Sequence, residues 1–552
     1  MTDIRRTVLW VVFTMSLVLL WDAWQKHNGH PSMFSPAAPK PVAASGPAPG
    51  GVPAASGLPA AAGTPAAPAA ALAAAPQVGE QVTISTDVVK ATLDSVGGSL
   101  VRVELLRHRD AQDPSGNVVV MDRSAARTYV AQTGLIGVPG APTHLTAMKL
   151  VPGERNLKDG EQSLTVRFES PESGGLKLVK SYTFKRGDYA IEVKHEIQNV
   201  SAAPLAPQLY TQLVHDGHME ASGPSMAPSS FTGPAVYTDK AKYQKVEFKD
   251  IDKGKADHEK SAQDGWVAMV QHYFASAWLH NAAAPREFYA RKLDNSLYSV
   301  GMLFPLAQIA PGSSLTADDV LFVGPQEEKK LAALADNLQL VKDYGMFKIL
   351  SQPLFWLLDK LHGLLGNWGW AIIALVVLLK IAFYWLNASA YRSMAKMKAV
   401  NPRIMEMRER LKDKPQQMQQ EMMKIYREEK INPLGSCLPI FLQMPFFIAL
   451  YWVLLSSVEM RHAPWILWIT DLSAKDPYFV LPTLMTLSSL LQVWLNPTPP
   501  DPMQAKMMWI MPLAFGVMFY FFPAGLVLYW LVNNILSIAQ QWMINKQLGV
   551  TH

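Results

Sequence analysis

The chain has 552 residues, too many for one hydrophobic core, so two or three units are expected. Its formal net charge of +5 is too small to argue for nucleic acid by itself, and the single cysteine, Cys437, rules out an intrachain disulfide framework. Hydrophobic residues make up 49%, but that average hides a polar middle and an apolar C-terminal third, and many of the 16 Trp and 26 Met lie in or beside the apolar stretches, as aromatic residues do at membrane interfaces.

In residues 1–26, Arg5 and Arg6 precede an apolar run over 7–20, followed by Trp21, Asp22 and Trp24. This pattern fits a cleaved signal peptide or an uncleaved transmembrane anchor. No small-x-small cleavage pattern directly follows the run, which favours the anchor. The two arginines then place the N-terminus in the cytoplasm. Residues 27–79 are almost entirely Ala, Pro, Gly and Ser and cannot bury enough surface to fold; they read as a linker.

Residues 80–340 change to a period of two. Runs over 81–85, 99–106, 176–185, 189–197, 266–279 and 287–302 are separated by turn signals such as Gly97-Gly98 and Pro311-Gly312, which predicts an antiparallel β-sandwich. No nucleophile elbow, zinc-protease motif or phosphate loop is present. His215-Asp216-Gly217-His218 resembles half of a metal site, but without further ligands it reads as a loop with two exposed histidines, and no metal or cofactor is expected. Residues 327–340 read as a helix. Residues 341–369 then hold an amphipathic helix, 347–365, suited to a membrane interface, and a break at Gly366-Asn367-Trp368-Gly369.

The apolar stretch 370–386 is long enough to span a bilayer and carries Lys380 in its interior. The other C-terminal apolar stretches hold no Asp, Glu or His that could serve as its counter-ion. Lys380 is close enough to the end of the run to snorkel to the interface. Against that, Lys380, Tyr384, Asn387 and Tyr391 are spaced to share one helical face, and Tyr529, Asn533, Ser537 and Gln541 form a second stripe on the last span. Two polar stripes point to a hydrated groove between spans, because an ammonium at membrane depth is costly unless it faces water or a bundle interior.

Residues 387–436 carry eleven Lys or Arg against six Asp or Glu, an excess equal to that of the whole chain. The positive-inside rule puts this loop in the cytoplasm, in agreement with the N-terminal assignment. Pro415 divides it into two helical halves. Its basic residues Arg392, Lys396, Lys398, Arg403, Arg408 and Arg410 are candidates for docking, and its seven methionines suit either packing or adaptable contact. Residues 437–545 supply spans over 437–458, 477–495, 507–522 and 526–545, so six spans are expected, with both termini cytoplasmic.

The chain resembles the YidC family of membrane protein insertases, which includes the mitochondrial Oxa and chloroplast Albino relatives. The residues that carry the resemblance include DYG at 343–345, SQPLF at 351–355, GNWG at 366–369, SMAKM at 393–397 and MRERL at 407–411. Others are NPLGSCLPIFLQMPFFIALY at 432–451, LWITDLSAKDPY at 467–478, DPMQ at 501–504 and FPAGLVLYW at 522–530. The resemblance implies a five-helix core around a groove that opens to the cytoplasm and to lipid, after an anchor and a large periplasmic β domain. It also implies nascent membrane proteins as substrates, with the Sec translocon, the ribosome, the targeting particle and anionic lipids as partners. The groove set expected is Lys380, Tyr384, Asn387, Gln443, Tyr529, Trp530, Asn533 and Ser537. Lys380 stands where the family usually has Arg, which keeps the charge and loses the bidentate fork; Val376 stands where a threonine is frequent. No covalent chemistry is implied, so the chain is not expected to be an enzyme. A transporter or channel is the competing class, and the lack of acidic or histidine relays in the C-terminal spans counts against proton coupling. A tethered periplasmic binding module would leave five spans with polar stripes unexplained.

Overall fold

The structure is a computed structural model and describes residues 79–547 apart from 111–112, 114, 219–229, 281, 294–296, 346, 412–413, 430–437 and 497–501. The expected anchor and nearly all of the linker lie outside the described residues. The backbone divides into two compact units, 1–324 and 325–552.

The first unit is a sandwich of two nine-stranded antiparallel sheets. Burial alternates along strands such as Ser163–Glu169 and Ala190–Asn199, which places one apolar face in the core. The central strand Thr128–Ile136 is buried along its whole length, because its outer face is covered as well. Two expected strands are each two. Trp266–Val270 and Phe274–Leu279 form a hairpin, as do Arg286–Lys292 and Tyr298–Pro305. His215 corrects the sequence reading: it ends the strand Gln208–His215, is fully buried and stacks on Phe248 at 5.6 Å. Its neighbour His218 is exposed.

Polar groups inside the sandwich are tied to backbone. Arg286 is 2% exposed and directs all five of its N–H donors at carbonyls of Gly265, Gln263, His280, Ala282 and Ala284, which pins the chain entering its strand. Lys180 donates to the carbonyls of Gly97 (2.6 Å) and Thr133 (2.7 Å), so it bridges the two sheets. Burial pulls its ammonium down to about 7. His195 holds Thr133 Oγ1 at 2.9 Å through Nε2, and Asp319 lies 2.8 Å from His280 Nδ1 and 3.3 Å from His195 Nδ1.

The second unit is helical. After a short helix in the first unit, α1 (Phe248–Asp252), the helices are α2 (Glu328–Leu334), α3 (Lys348–Leu365), α4 (Trp368–Ala382) and α5 (Tyr384–Arg410). The chain continues through α6 (Pro415–Glu428), α7 (Leu438–Ser456), α8 (Val480–Leu495), α9 (Pro502–Phe519) and α10 (Ala524–Gln547). The helix expected over 327–340 is interrupted: α2 stops at Leu334, Asn337 adopts a left-handed φ of 60°, and Leu338–Val341 is a 3-10 turn. Gly366, at φ 67°, ends α3, and Asn367 caps α4 by accepting from the Trp370 amide at 3.2 Å.

The span expected over 370–386 is also interrupted. α4 and α5 are bent by 68° at a break around Phe383. Among the described residues no single helix is long and apolar enough to cross a membrane, and this bent pair passes the length and composition test together. The bundle core joins Ile372, Leu375 and Val376 of α4 to Ala449, Leu450 and Val453 of α7, Leu481 and Met485 of α8, and Leu526–Tyr529 of α10. α10 packs against α4, α5 and α8.

Candidate functional site

Lys380 sits in the last turn of α4, and its ammonium donates to Ser537 Oγ at 2.7 Å. Ser537 is buried, and its own hydroxyl donates back to the Asn533 carbonyl one turn earlier at 2.7 Å, so its oxygen is oriented to accept from the amine. The Tyr391 hydroxyl of α5 reaches the same serine. No carboxylate pairs with Lys380 among the described residues. The charge therefore rests on neutral oxygen in an otherwise apolar helix, an arrangement that needs further polar partners, water or an incoming anion.

Around it, Gln443 Nε2 of α7 donates to Asn533 Oδ1 at 3.4 Å, and Gln540 Nε2 of α10 donates to the Tyr384 carbonyl at 3.2 Å. Asn387 is 6% exposed, and its amide nitrogen has no hydrogen-bond partner among the described residues. Tyr384 is 37% exposed and points away from the core. Thus the Lys380–Ser537 and Gln443–Asn533 side-chain pairs are joined through the Asn533 backbone carbonyl, and the Tyr384 backbone is held by Gln540 on the same helix as Ser537. Tyr529 lies about two turns before Ser537 on α10, buried against Phe447 at 5.9 Å. Trp530 is placed elsewhere: it stacks on Phe447 at 4.5 Å and meets Phe519 edge-on at 4.5 Å, inside an aromatic cluster.

The polar stripe of α10 is really two. Residues at intervals of four drift by about 40° per step around a helix, so Gln541 stands about 120° from Tyr529. Gln541 turns instead to Asn496, donating to Oδ1 at 3.0 Å, and Asn534, seven residues earlier, donates to Ser488 and Ser489 of α8 at 3.0 and 3.2 Å. Sequence reasoning missed Asn534, Ser488, Ser489, Asn496 and Gln540. The seven-residue interval between Asn534 and Gln541 was the available signal.

The far end of the bundle is built differently. The loop over 457–479 buries Val458, Met460, Ile469 and Leu472. Backbone bonds from Ala524 to the Ala474 carbonyl (2.7 Å) and from Gly525 to the Leu472 carbonyl (2.9 Å) fasten it to the start of α10. The Asp476 carboxylate accepts from the Leu481 and Tyr478 amides and from Trp468 Nε1, which seats the entry to α8. Gly369 lets the Trp465 ring lie directly on α4: a Cβ there would meet ring carbon at 2.2 Å.

α5 and α6 form a hairpin with a small core of Val400, Ile404, Met407 and Ile425, against which Met397, Met418 and Met422 pack. Met405 and Met423 are exposed. Of the six candidate docking cations, Arg403 pairs with Glu428 (3.1 Å) and Glu429 (3.4 Å), and Arg410 with Glu421 (2.6 Å), closing the hairpin. Arg392, Lys396 and Arg408 have no carboxylate partner among the described residues, and Lys398 is half-buried with contacts of its own.

Two family models match the chain: the YidC periplasmic domain over residues 81–357 and the 60Kd inner membrane protein over residues 360–550. The chain is similar to the membrane protein insertase YidC of Cupriavidus necator, 55% identical over 551 residues that cover 99% of this chain and 98% of that protein. It is similar to the protein of the same description from Ralstonia nicotianae, 54% identical over 553 residues with the same coverage. A crystal structure of an active YidC insertase with its first transmembrane domain resolved is 18% identical with a TM-score of 0.40, covering 84% of this chain and 92% of that one.

Proposed function

The chain belongs to the YidC family of membrane protein insertases, and from that premise we propose that Lys380 is the electrostatic centre of a hydrated groove through which the polar part of an incoming membrane protein passes. The family is one of bacterial inner-membrane proteins, and its substrates are nascent membrane proteins. A polar tail or hairpin crossing hydrocarbon leaves backbone groups unpaired, at several kcal/mol each. A notch that carries water part-way from the cytoplasm shortens that dry path. The observation that carries this reading is the Lys380 ammonium at 2.7 Å from Ser537 with no carboxylate among the described residues to neutralise it. Such a charge attracts acidic residues of a substrate tail and releases them once the following helix partitions into lipid.

In this reading the α5–α6 hairpin faces the cytoplasm with both termini, and Arg392, Lys396 and Arg408 meet the ribosome, the targeting particle or anionic lipid. The Sec translocon acts alongside. The exposed apolar faces of α8 and α9, including Leu487, Leu491, Trp509 and Phe515, meet lipid and the sliding substrate helix. α3, with Ile349, Trp356 and Leu364 exposed and Lys360 above the Trp356 ring, lies in the outer interface. No step in this cycle makes or breaks a covalent bond.

The test is insertion by purified variants in vesicles. Lys380→Glu is expected to lose insertion of substrates with acidic tails by at least about tenfold, because it replaces attraction with repulsion in a low-dielectric site. Lys380→Arg is expected to stay near the parent. Normal insertion by the Glu variant would rule out the charge as the working element.

A further inference from the structure

We propose that Lys342 and Glu459 form an ion-pair fastener that holds the outer rim of the bundle shut, and that both are positioning residues for insertion. This rests on the reading above that places the loop over 457–479 on the outer side.

Lys342 follows the 3-10 turn Leu338–Val341, and its side chain is 0% exposed. Its ammonium lies 3.2 and 3.1 Å from the two carboxylate oxygens of Glu459, in the turn that follows α7. It also stands over the Phe355 ring of α3, 3.7 Å from the centroid, and 5.5 Å from the Tyr344 centroid. Tyr344 in turn donates to Glu328 of α2, and Lys329 of α2 pairs with Asp359 of α3 at 2.8 Å. A dry lysine with its carboxylate and two aromatic faces is a tight joint, and removing one partner strands the other charge.

What the joint closes is visible beside it. Met460, next to Glu459, lines a small apolar cavity with Tyr451, Leu454, Leu472, Gly525 and Leu526. Leu526 lies eleven residues, about 16 Å, along α10 from Ser537. The loop is fastened to the start of α10 by the backbone bonds of Ala524 and Gly525. On the side of residues 328–344 it is held by the Lys342–Glu459 pair. Releasing that pair frees one edge of the cover while the other stays attached, which opens the cavity to the outside without unthreading the bundle.

The experiment uses full-length protein carrying Cys437→Ser and Leu526→Cys, in right-side-out and inverted vesicles, with a membrane-impermeant maleimide as the probe. The parent is expected to label slowly from either side. Lys342→Ala and Glu459→Ala are expected to label about tenfold faster in right-side-out vesicles, since each leaves a charge that draws water into the joint. The charge swap Lys342→Glu with Glu459→Lys is expected to return the rate towards the parent, and Lys342→Arg to leave it unchanged. Lys342→Met preserves the packing volume and is expected to label fast as well, which covers the case in which the alanine variant does not fold. Parental rates in the single variants, or no recovery in the swap, overturn the fastener. Faster labelling confined to inverted vesicles overturns the assigned sidedness and leaves the fastener standing.

Discussion

An ammonium has three hydrogens to place, and Lys380 places one on Ser537. Ser537→Ala therefore separates a wet groove from a dry one. In a dry bundle the loss of that acceptor leaves a buried cation short of a partner and costs about 1–3 kcal/mol or more. In a hydrated notch water takes the place of the hydroxyl. We expect a loss below about 1 kcal/mol with insertion largely intact, read from the melting temperature and from vesicle insertion by the same preparation. A second residue-scale prediction concerns Lys180 in the sandwich, whose folded value of about 7 lies below its ordinary 10.5. Between those values the unfolded chain binds the proton that the folded chain refuses, so stability rises with pH by up to about 1.4 kcal/mol per unit and falls as pH drops from 10.5 towards 7. Below 7 the amine is charged in both states and adds no further slope, while burial holds His195 below its usual range and extends the loss through acid. Melting of the full-length protein at successive pH values should show this climb, and Lys180→Met should flatten its alkaline part. Lys380 was legible in the sequence because a charge in an apolar run stands out. Its partner was half legible: Ser537 belonged to a stripe, but nothing in the spacing said that this serine, and not Tyr529, would meet the amine. Lys180 and Arg286 were not legible as core residues, since period-two alternation does not tell which polar side chains carry backbone carbonyls as partners.

Two element boundaries failed where the chain turns without turn chemistry. Gln271-His272-Tyr273 separates two strands without Gly or Pro, and so 266–279 reads as one run. The α4–α5 bend at Phe383 is equally silent in the sequence. It splits the expected face of Lys380, Tyr384, Asn387 and Tyr391 between two helix axes, yet Tyr391 still returns to Ser537, because α5 packs on α10 just beyond the bend. The hairpin was clearer: Pro415 sits at the first turn of α6, where its missing N–H does no harm. Its methionines divide between packing and exposure, which spacing left open. That division can be tested. Ile404→Ala cuts into a core of four buried residues with few neighbours able to collapse, and is expected to cost about 2–5 kcal/mol within the hairpin. Met405→Ala removes an exposed side chain and should cost less than about 0.5 kcal/mol. Limited proteolysis between 384 and 428 reports the difference: rapid cleavage in the first variant, parental resistance in the second.

At the scale of the whole chain, the compact units divide at 324/325, whereas the YidC periplasmic domain match runs on to 357. The disagreement matters for what can be removed. Residues 326–357 carry Glu328, Lys342, Tyr344 and Phe355, whose contacts are with the helical unit: Lys342 with Glu459, and Ser351 with the Ala449 carbonyl at 3.2 Å. They belong physically to the insertase bundle. Deleting 80–325 removes the sandwich and leaves every one of these contacts in place, so insertion in vesicles is expected to stay within a few-fold of the parent. Deleting 80–345 removes Lys342 and Tyr344 as well, strands Glu459, and exposes the face of Phe355; insertion is expected to fall sharply although no groove residue has been touched. The pair of deletions differs by twenty residues, so equal activity of the two proteins would mean that the segment before α3 contributes nothing to the bundle. Equal loss, with both proteins folded and in the membrane, would make the sandwich itself a working part of insertion.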